Sequence, residues 1–323
     1  MIKHIIQRLC STILLLLAVS FFTFWLMHAT PGSFFDSLRL NPQISPETVA
    51  RYEKLYHLND PLLVQYGHWI FNILHGELGY SFYYNVPVIH VLASRLFNTF
   101  ILSLTSLFLT WGIAIPLGVW AALRRNQWVD RVLSVLSFAA FSTPGFFLAV
   151  LVLYAASKWG ALPLGGMHSP NYDDMTLIGK IGDTALHLVI PAGVLSLSSM
   201  ASLQRMMRGS MLGVLRQQYI LAARAKGLPE RTVIYRHALR NAFNPMVTLL
   251  GYEFAALLSG AALIEIVCSW PGLGSLLLTA VRAKDVYLVM SDTLLAGVLL
   301  VMGNVLSDIL LTWVDPRIRY EKN

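Results

Sequence analysis

The feature that most limits what this chain can become is the recurrence of apolar runs long enough to cross a lipid bilayer. A spanning helix needs about 20 predominantly apolar residues. Such runs lie near Leu9–Ala29, Phe97–Leu123, Val132–Ser157, His187–Met206, Pro245–Val267 and Ser291–Val314. Ser196, Ser198, Ser199 and Ser202 dilute the fourth. In hydrocarbon no water pairs with the backbone, so runs of this length have to close their own hydrogen bonds as helices. Composition agrees: 13% of the 323 residues are charged and 56% are hydrophobic, whereas soluble domains carry about 25% charged residues. The expected fold is all-α, a polytopic membrane protein with six transmembrane helices.

Lys3 and Arg8 precede the first run, as they would in a signal peptide. The run is longer than the roughly 7–15 residues of a signal core, which favours a retained helix. Six spans put both termini on one side. Sixteen of the 24 Lys and Arg then share that side: Lys3, Arg8, the 124–131 loop, the Arg205–Arg240 loop and the C-terminal tail. Basic residues concentrate on the cytoplasmic face. The termini and the Arg205–Arg240 loop are therefore expected in the cytoplasm, which also accounts for the net charge of +7 without nucleic acid. Cys10 and Cys268, at opposite faces under this topology, are not expected to pair.

The segment 30–96 is expected to be extracytoplasmic and folded. Ser45-Pro46-Glu47 reads as an N-cap, a proline at the first helical position and an acid in the first turn. Val49, Tyr52 and Tyr56 follow at helical spacing. A second helix is expected from about Pro61, carrying Tyr66, Trp69, Ile70, Ile73 and Leu74, with Gly76 and Gly79 in the turn after it.

The cytoplasmic segment Gln218–Ala242 reads as helix, break, helix. Tyr219, Ala222, Ala223 and Lys226 share one face at 100° per residue. Gly227 suits a left-handed helix end, Pro229 suits the start of the next helix, and Arg236, His237 and Arg240 share a face of it. A basic loop that only sets topology is the alternative; the paired short helices about a Gly-x-Pro break favour a docking element.

Other residues weigh toward a pathway or toward packing. Ser196, Ser199 and Ser202 form a polar stripe on the fourth run, suited to helix packing or to lining water. Ionisable residues at membrane depth are costly and usually face protein or water. Glu253 is set deep enough to face a pathway; Glu265, Asp292 and Asp308 stand near run ends, where a solvated interfacial carboxylate is the competing reading. Pro116 with Gly118, and Pro144-Gly145, are expected to kink the second and third spans. The nine histidines show no metal-ligand spacing, and His187 reads as interfacial.

The segment Gln218–Ala242 resembles the EAA loop of binding-protein-dependent ABC importer permeases. Leu221 stands where that pattern has its acid, followed by Ala222, Ala223 and Gly227. The same departure occurs in the dipeptide, oligopeptide and nickel branch. Leu58–Tyr66 with His75–Ser81, Glu265–Gly274 with Ala280 and Asp285, and the tail Val314–Tyr320 resemble that branch in the same order, in its first permease subunit. The resemblance implies two domains, 1–96 and a five-helix permease core over 97–323, with a coupling loop at about 205–243. It implies a bacterial inner-membrane location, a second homologous permease, two cytoplasmic ATPases docking on Tyr219, Ala222, Ala223, Lys226, Gly227, Pro229, Arg236, His237 and Arg240, and a solute-binding protein received near Tyr66, Trp69, Gly76 and Gly79. The implied solute is a peptide, with nickel or another small solute as the alternative. No cofactor is expected on this chain. It lacks a G-x-x-x-x-G-K-[ST] phosphate loop, so the resemblance assigns ATP to the partners. An intramembrane enzyme is disfavoured because neither H-E-x-x-H nor G-x-S-x-G occurs; a secondary transporter is disfavoured because no inverted repeat is visible.

Overall fold

The computed structural model describes residues 2–39, 45–55, 60–160, 162–247, 249–250, 253, 256 and 261–314. The expectations placed on Tyr56, Leu58, Asn59 and the tail beyond Val314 lie outside the described residues. Among the described residues, four helices are long and apolar enough to cross a bilayer: α1 (Ile2–Ala29), α5 (Val88–Leu123), α8 (Leu177–Leu215) and α14 (Val286–Val314). The third expected span is not one helix. It divides into α6 (Trp128–Ser142) and α7 (Gly145–Trp159), bent by 106° at Thr143-Pro144. Pro144 has no N–H to donate and holds its own φ near −57°, so the first helix ends before it. The expected fifth span, 245–267, is described mainly at its end, where α12 (Ala262–Val267) is helical. Pro116, by contrast, lies within an unbroken α5.

Length carries α5 and α8 beyond the hydrocarbon. At 1.5 Å per residue the 36 residues of α5 reach about 54 Å, and the 39 of α8 about 58 Å, against a core of about 30 Å. The surplus of α8 leads to the 218–242 segment.

The chain folds as two compact units. The first, 1–98 with 271–299, holds α1, α2 (Phe34–Arg39), α3 (Pro46–Leu55), α4 (Leu62–Leu74), a short antiparallel hairpin pairing Tyr80 with Pro87, and α13 (Leu273–Arg282). Helix α3 begins at Pro46 with Glu47 in its first turn, and Val49 on it is buried. Val88, Leu92, Leu276, Ala280, Leu288 and Val289 form its main core, and Phe24, Trp69 and Met290 a second.

Asp285 ties this unit together. Its carboxylate is fully buried and accepts hydrogen bonds from Ser81 Oγ at 2.6 Å, Tyr83 N at 3.0 Å and Leu288 N at 3.3 Å. Burial pushes the carboxyl above its ordinary value, while these donors pull it back. Removing the acceptor leaves two backbone N–H groups without it, at about 1–3 kcal/mol for each buried donor left unmade. Asp285→Ala is expected to loosen the hairpin, read as protease cleavage near Tyr83 that wild type resists; Asp285→Asn, which retains an acceptor oxygen, should restore most of that resistance.

The second unit, 99–270 with 300–323, is built on close approach of α5 and α8. Ala114, Gly118 and Ala122 recur every fourth residue on α5, and Ala114 and Ala122 are buried beside Met207 and Met211. A β-carbon at Gly118 would stand 2.7 Å from Met207 Cβ and 2.8 Å from the Gln204 carbonyl, so only glycine allows this contact. Gly118 thus serves helix packing. Arg208 on α8 grips Asp130 on α6 with two hydrogen bonds, Nε to Oδ1 at 2.5 Å and an Nη to Oδ2 at 2.7 Å. Asp130 also accepts from Asn126 N, at the turn where Asn126 takes φ 63°.

Candidate functional site: the cytoplasmic helix–turn–helix segment

Helix α9 (Gln218–Ala225) is short, and the way it stops is the centre of the site. Gly227 adopts φ +73°. Its N–H is donated to Arg224 O at 2.9 Å, and Leu228 N reaches back to Ala223 O at 3.4 Å. This is the left-handed ending expected of that glycine. A β-carbon at Gly227 would meet no atom within 4 Å, so the glycine is required by its backbone angle and not by crowding. Pro229 takes the N-cap position of α10 (Glu230–Thr232), one residue before its expected place. The chain then continues as a π-helix, Val233–Leu239, into α11 (Arg240–Ala242). Within this stretch and just after it Arg236 and Arg240 are exposed and His237 is half-buried.

One side of the segment is packed on its own chain. Ile220, Ala223, Val233, Ala238 and Ala242 are buried in the cluster that includes Met207, Met211 and Met246. The Ala-Ala pair is therefore split. Ala223, expected to let a partner approach, is 9% exposed and faces the core, while Ala222 is exposed. The other side carries Tyr219, Leu221, Leu228 and Tyr235, all exposed, among exposed Arg224, Lys226, Arg231 and Arg236. Exposed apolar side chains set among basic ones, on a segment whose other face is packed, are suited to receive a partner.

Two contacts brace the break. Arg224 donates to both carboxylate oxygens of Glu230, at 3.2 and 2.6 Å, which holds the Glu230 carboxyl below and the Arg224 guanidinium above their ordinary values. Asn241 Nδ2 donates to Tyr219 Oη at 2.9 Å. Neither was read from the sequence; an acid three residues past the glycine, opposite an arginine three before it, is the signal that was available.

The candidate pathway residues do not form one surface. Ser196 is buried and donates to Gly193 O at 2.8 Å, Ser199 is half-buried and Ser202 is exposed. Ser199, with Ser198, lines a cavity of about 450 Å³ beside Pro144 and Gly145, at the break between α6 and α7. Glu253 is half-buried. Glu265 is not a solvated interfacial acid: it is fully buried and accepts from Thr99 Oγ1 at 2.6 Å. Asp292 is 2% exposed, against the same expectation, and the side chain of Asp308 lies outside the described residues. His187, expected at an interface, is buried and bonded through Nδ1 to Asp183 O at 2.9 Å.

On the other loop, Tyr66 and Trp69 are turned inward. Tyr66 Oη donates to Leu17 O at 3.1 Å, and Trp69 is 2% exposed beside Phe24 and Met290. Both hold α4 against its neighbours; Trp69 offers no surface to a partner, while Tyr66 is half-buried. Gly76 and Gly79 follow in turns with φ +85° and +97°, Gly76 exposed and Gly79 half-buried. Cys10 and Cys268 are both free.

Comparison with known proteins shows the family. The sequence signature described as "Binding-protein-dependent transport system inner membrane component" matches residues 114–320, and that of its N-terminal part matches residues 1–105. The chain is 36% identical over 322 residues to the oligopeptide transport system permease protein AppB of Bacillus subtilis, covering 99% of this chain and 100% of that one. It is 38% identical over 326 residues to a putative peptide permease protein of Brucella suis, covering 99% of each. A probable peptide ABC transporter permease of Sinorhizobium fredii is 34% identical over 320 residues, covering 98% and 99%. Among solved structures, the MetNI methionine ABC transporter in inward-facing form matches with TM-score 0.50 and 17% identity, over 69% of this chain and 97% of that chain. An amino acid ABC transporter matches with TM-score 0.50 and 16% identity, over 69% and 94%.

Proposed function

This chain belongs to the family of binding-protein-dependent transport system inner membrane components, and from that premise we propose that it carries peptides across the bacterial inner membrane as one of two permease subunits. It is a transport subunit rather than an enzyme. A second homologous permease completes the pathway, two cytoplasmic ATPases dock on the 218–242 segment, and an extracytoplasmic binding protein delivers the solute. Peptides are favoured over nickel or another small solute because the full-length relatives are named as peptide and oligopeptide permeases.

The observation that carries the coupling role is the exposed apolar surface of Tyr219, Leu221, Ala222, Leu228 and Tyr235, set on a segment whose opposite face is locked into α5 and α8. A docking element of this kind transmits force. Movement of the ATPases shifts α9 and the π-helical stretch, and the buried face passes the shift to Met207 and Met211 on α8. ATP-driven closure then opens the pathway outward to the binding protein, and hydrolysis returns it inward. The polar cavity lining at Ser198 and Ser199, next to the Pro144 break, is the place where α8 meets a hinge. The solute is tested by purifying the transporter with its binding protein and identifying the retained ligand by mass spectrometry; peptides are expected, and a metal chelate with no peptide overturns the assignment.

The orientation follows from the basic residues, with both termini and the coupling segment in the cytoplasm. Cysteine at Glu53 is expected to react with an impermeant thiol reagent added to spheroplasts, and cysteine at Glu230 only after permeabilisation. The opposite pattern would invert the topology and remove the coupling assignment.

A further inference from the structure

Helix α4 lies between Asp60 and Gly76 in a loop whose sequence suggests water on all sides, yet its contacts place it below the end of a spanning helix. Tyr66 Oη stands 2.8 Å from Ser20 Oγ and donates to Leu17 O at 3.1 Å. Ser20 precedes the end of α1 at Ala29 by nine residues, about 13 Å along the axis. The Tyr66 ring packs edge-on to Phe21, at 5.2 Å between centroids. Higher up, His28 Nε2 meets Gln65 Oε1 at 3.3 Å. Trp69 joins Phe24 and Met290, with Ile70, Ile73, Val286 and Leu294 around them. So α4 runs beside the last turns of α1 and the first turns of α14, both of which are apolar enough to be in the bilayer.

The rest of its circumference sorts by chemistry. At 100° per residue, Leu63, Leu74, Phe71 and Val64 fall within about 100° of arc, and all four are exposed, Leu63 at 72% and Leu74 at 78%. His75, His68 and Asn72 occupy the next 60° or so of arc and are exposed. Tyr66, Trp69, Ile70 and Ile73 fill the protein side. No residue from Leu62 to Leu74 is charged. A helix with a protein side, an apolar side and an uncharged polar side, set at that depth, suits the boundary between headgroups and acyl chains.

We propose that α4 is an interfacial membrane helix, with Leu63, Val64, Phe71 and Leu74 buried in the acyl chains of the leaflet that surrounds the Ala29 end of α1. On α1 itself Phe22 and Trp25 are 57% and 47% exposed, so the spanning helix that α4 packs on also keeps large apolar side chains uncovered. Lipid is the occupant because the arc is apolar, α4 carries no charge, and its Tyr66 packs on α1 as deep as Leu17 and Ser20. The placement does not depend on which solute is carried.

The test uses the complete transporter, with Cys10 and Cys268 replaced by alanine, in phospholipid vesicles without binding protein. Spin labels are placed singly at Leu63→Cys, Phe71→Cys and Leu74→Cys, with Trp25→Cys as a lipid reference, Glu77→Cys as a water reference and Asn72→Cys on the polar arc. Variants are kept if uptake is retained. Collisions with oxygen should exceed those with a water-soluble nickel chelate at Leu63, Phe71 and Leu74, as at Trp25, while Asn72 and Glu77 should favour the chelate. Chelate access at Leu63, Phe71 and Leu74 equal to that at Glu77 would show an aqueous helix and overturn the proposal. So would low access to both reagents, which would show protein covering the arc.

Discussion

Ala222→Trp is expected to strip the ATPases from the purified complex, and Gly227→Val to leave them attached but poorly coupled. Ala222 is exposed on the apolar side of α9 between Tyr219 and Leu228, so an indole there stands between this surface and any partner seated on it. Gly227 works differently. It holds φ +73° in open space, and an L residue in that conformation costs about 1–2 kcal/mol. That is about a 5–30-fold shift in the population of the correct turn. Uptake into proteoliposomes should fall by a comparable factor, with ATP hydrolysis continuing. Ala223→Trp is not an equivalent test: Ala223 is buried against the chain's own core, and overpacking there typically costs 1–3 kcal/mol, with backbone shifts. Full ATPase retention with wild-type uptake in both Ala222→Trp and Gly227→Val would remove the segment from the coupling path.

Asp130→Ala is expected to destabilise the second unit by about 3 kcal/mol. Removing one partner of a buried ion pair leaves an uncompensated charge and costs about 3–5 kcal/mol. The lower end applies because the Arg208 side chain is 28% exposed, whereas that of Asp130 is 5% exposed. Thermal unfolding of the detergent-solubilised complex, followed at the tryptophans, should show the loss. Arg208→Met combined with Asp130→Leu removes both charges, and should recover most of the stability. If that pair recovers stability but not uptake, the ion pair contributes to movement of α6 against α8 as well as to the fold. An unchanged transition in Asp130→Ala would mean that the pair is solvent-screened and contributes little.

Residues close together in the chain decide part of this fold on their own. Hydropathy summed over twenty residues located the ends of α1, α5, α8 and α14 within a few turns, because the bilayer reads only length and polarity. Ser45-Pro46-Glu47 began a helix where expected, and Gly227 ended one, because caps and φ angles are local. Tertiary structure decided the rest. Asp130 and Arg208 are 78 residues apart, Thr99 and Glu265 are 166 apart, and Ser81 and Asp285 are 204 apart. No local pattern pairs them, and each carboxylate alone reads equally well as solvated, as pathway-lining or as a brace. The period of α9 gave a stripe through Ala222 and Ala223 but not which of the two faces the core; Met207 and Met211 on α8 settled that. The depth of α4 likewise came from one hydroxyl, that of Tyr66, reaching Leu17 O, since a short uncharged helix carries no record in its own sequence of how far it sinks beside a spanning one.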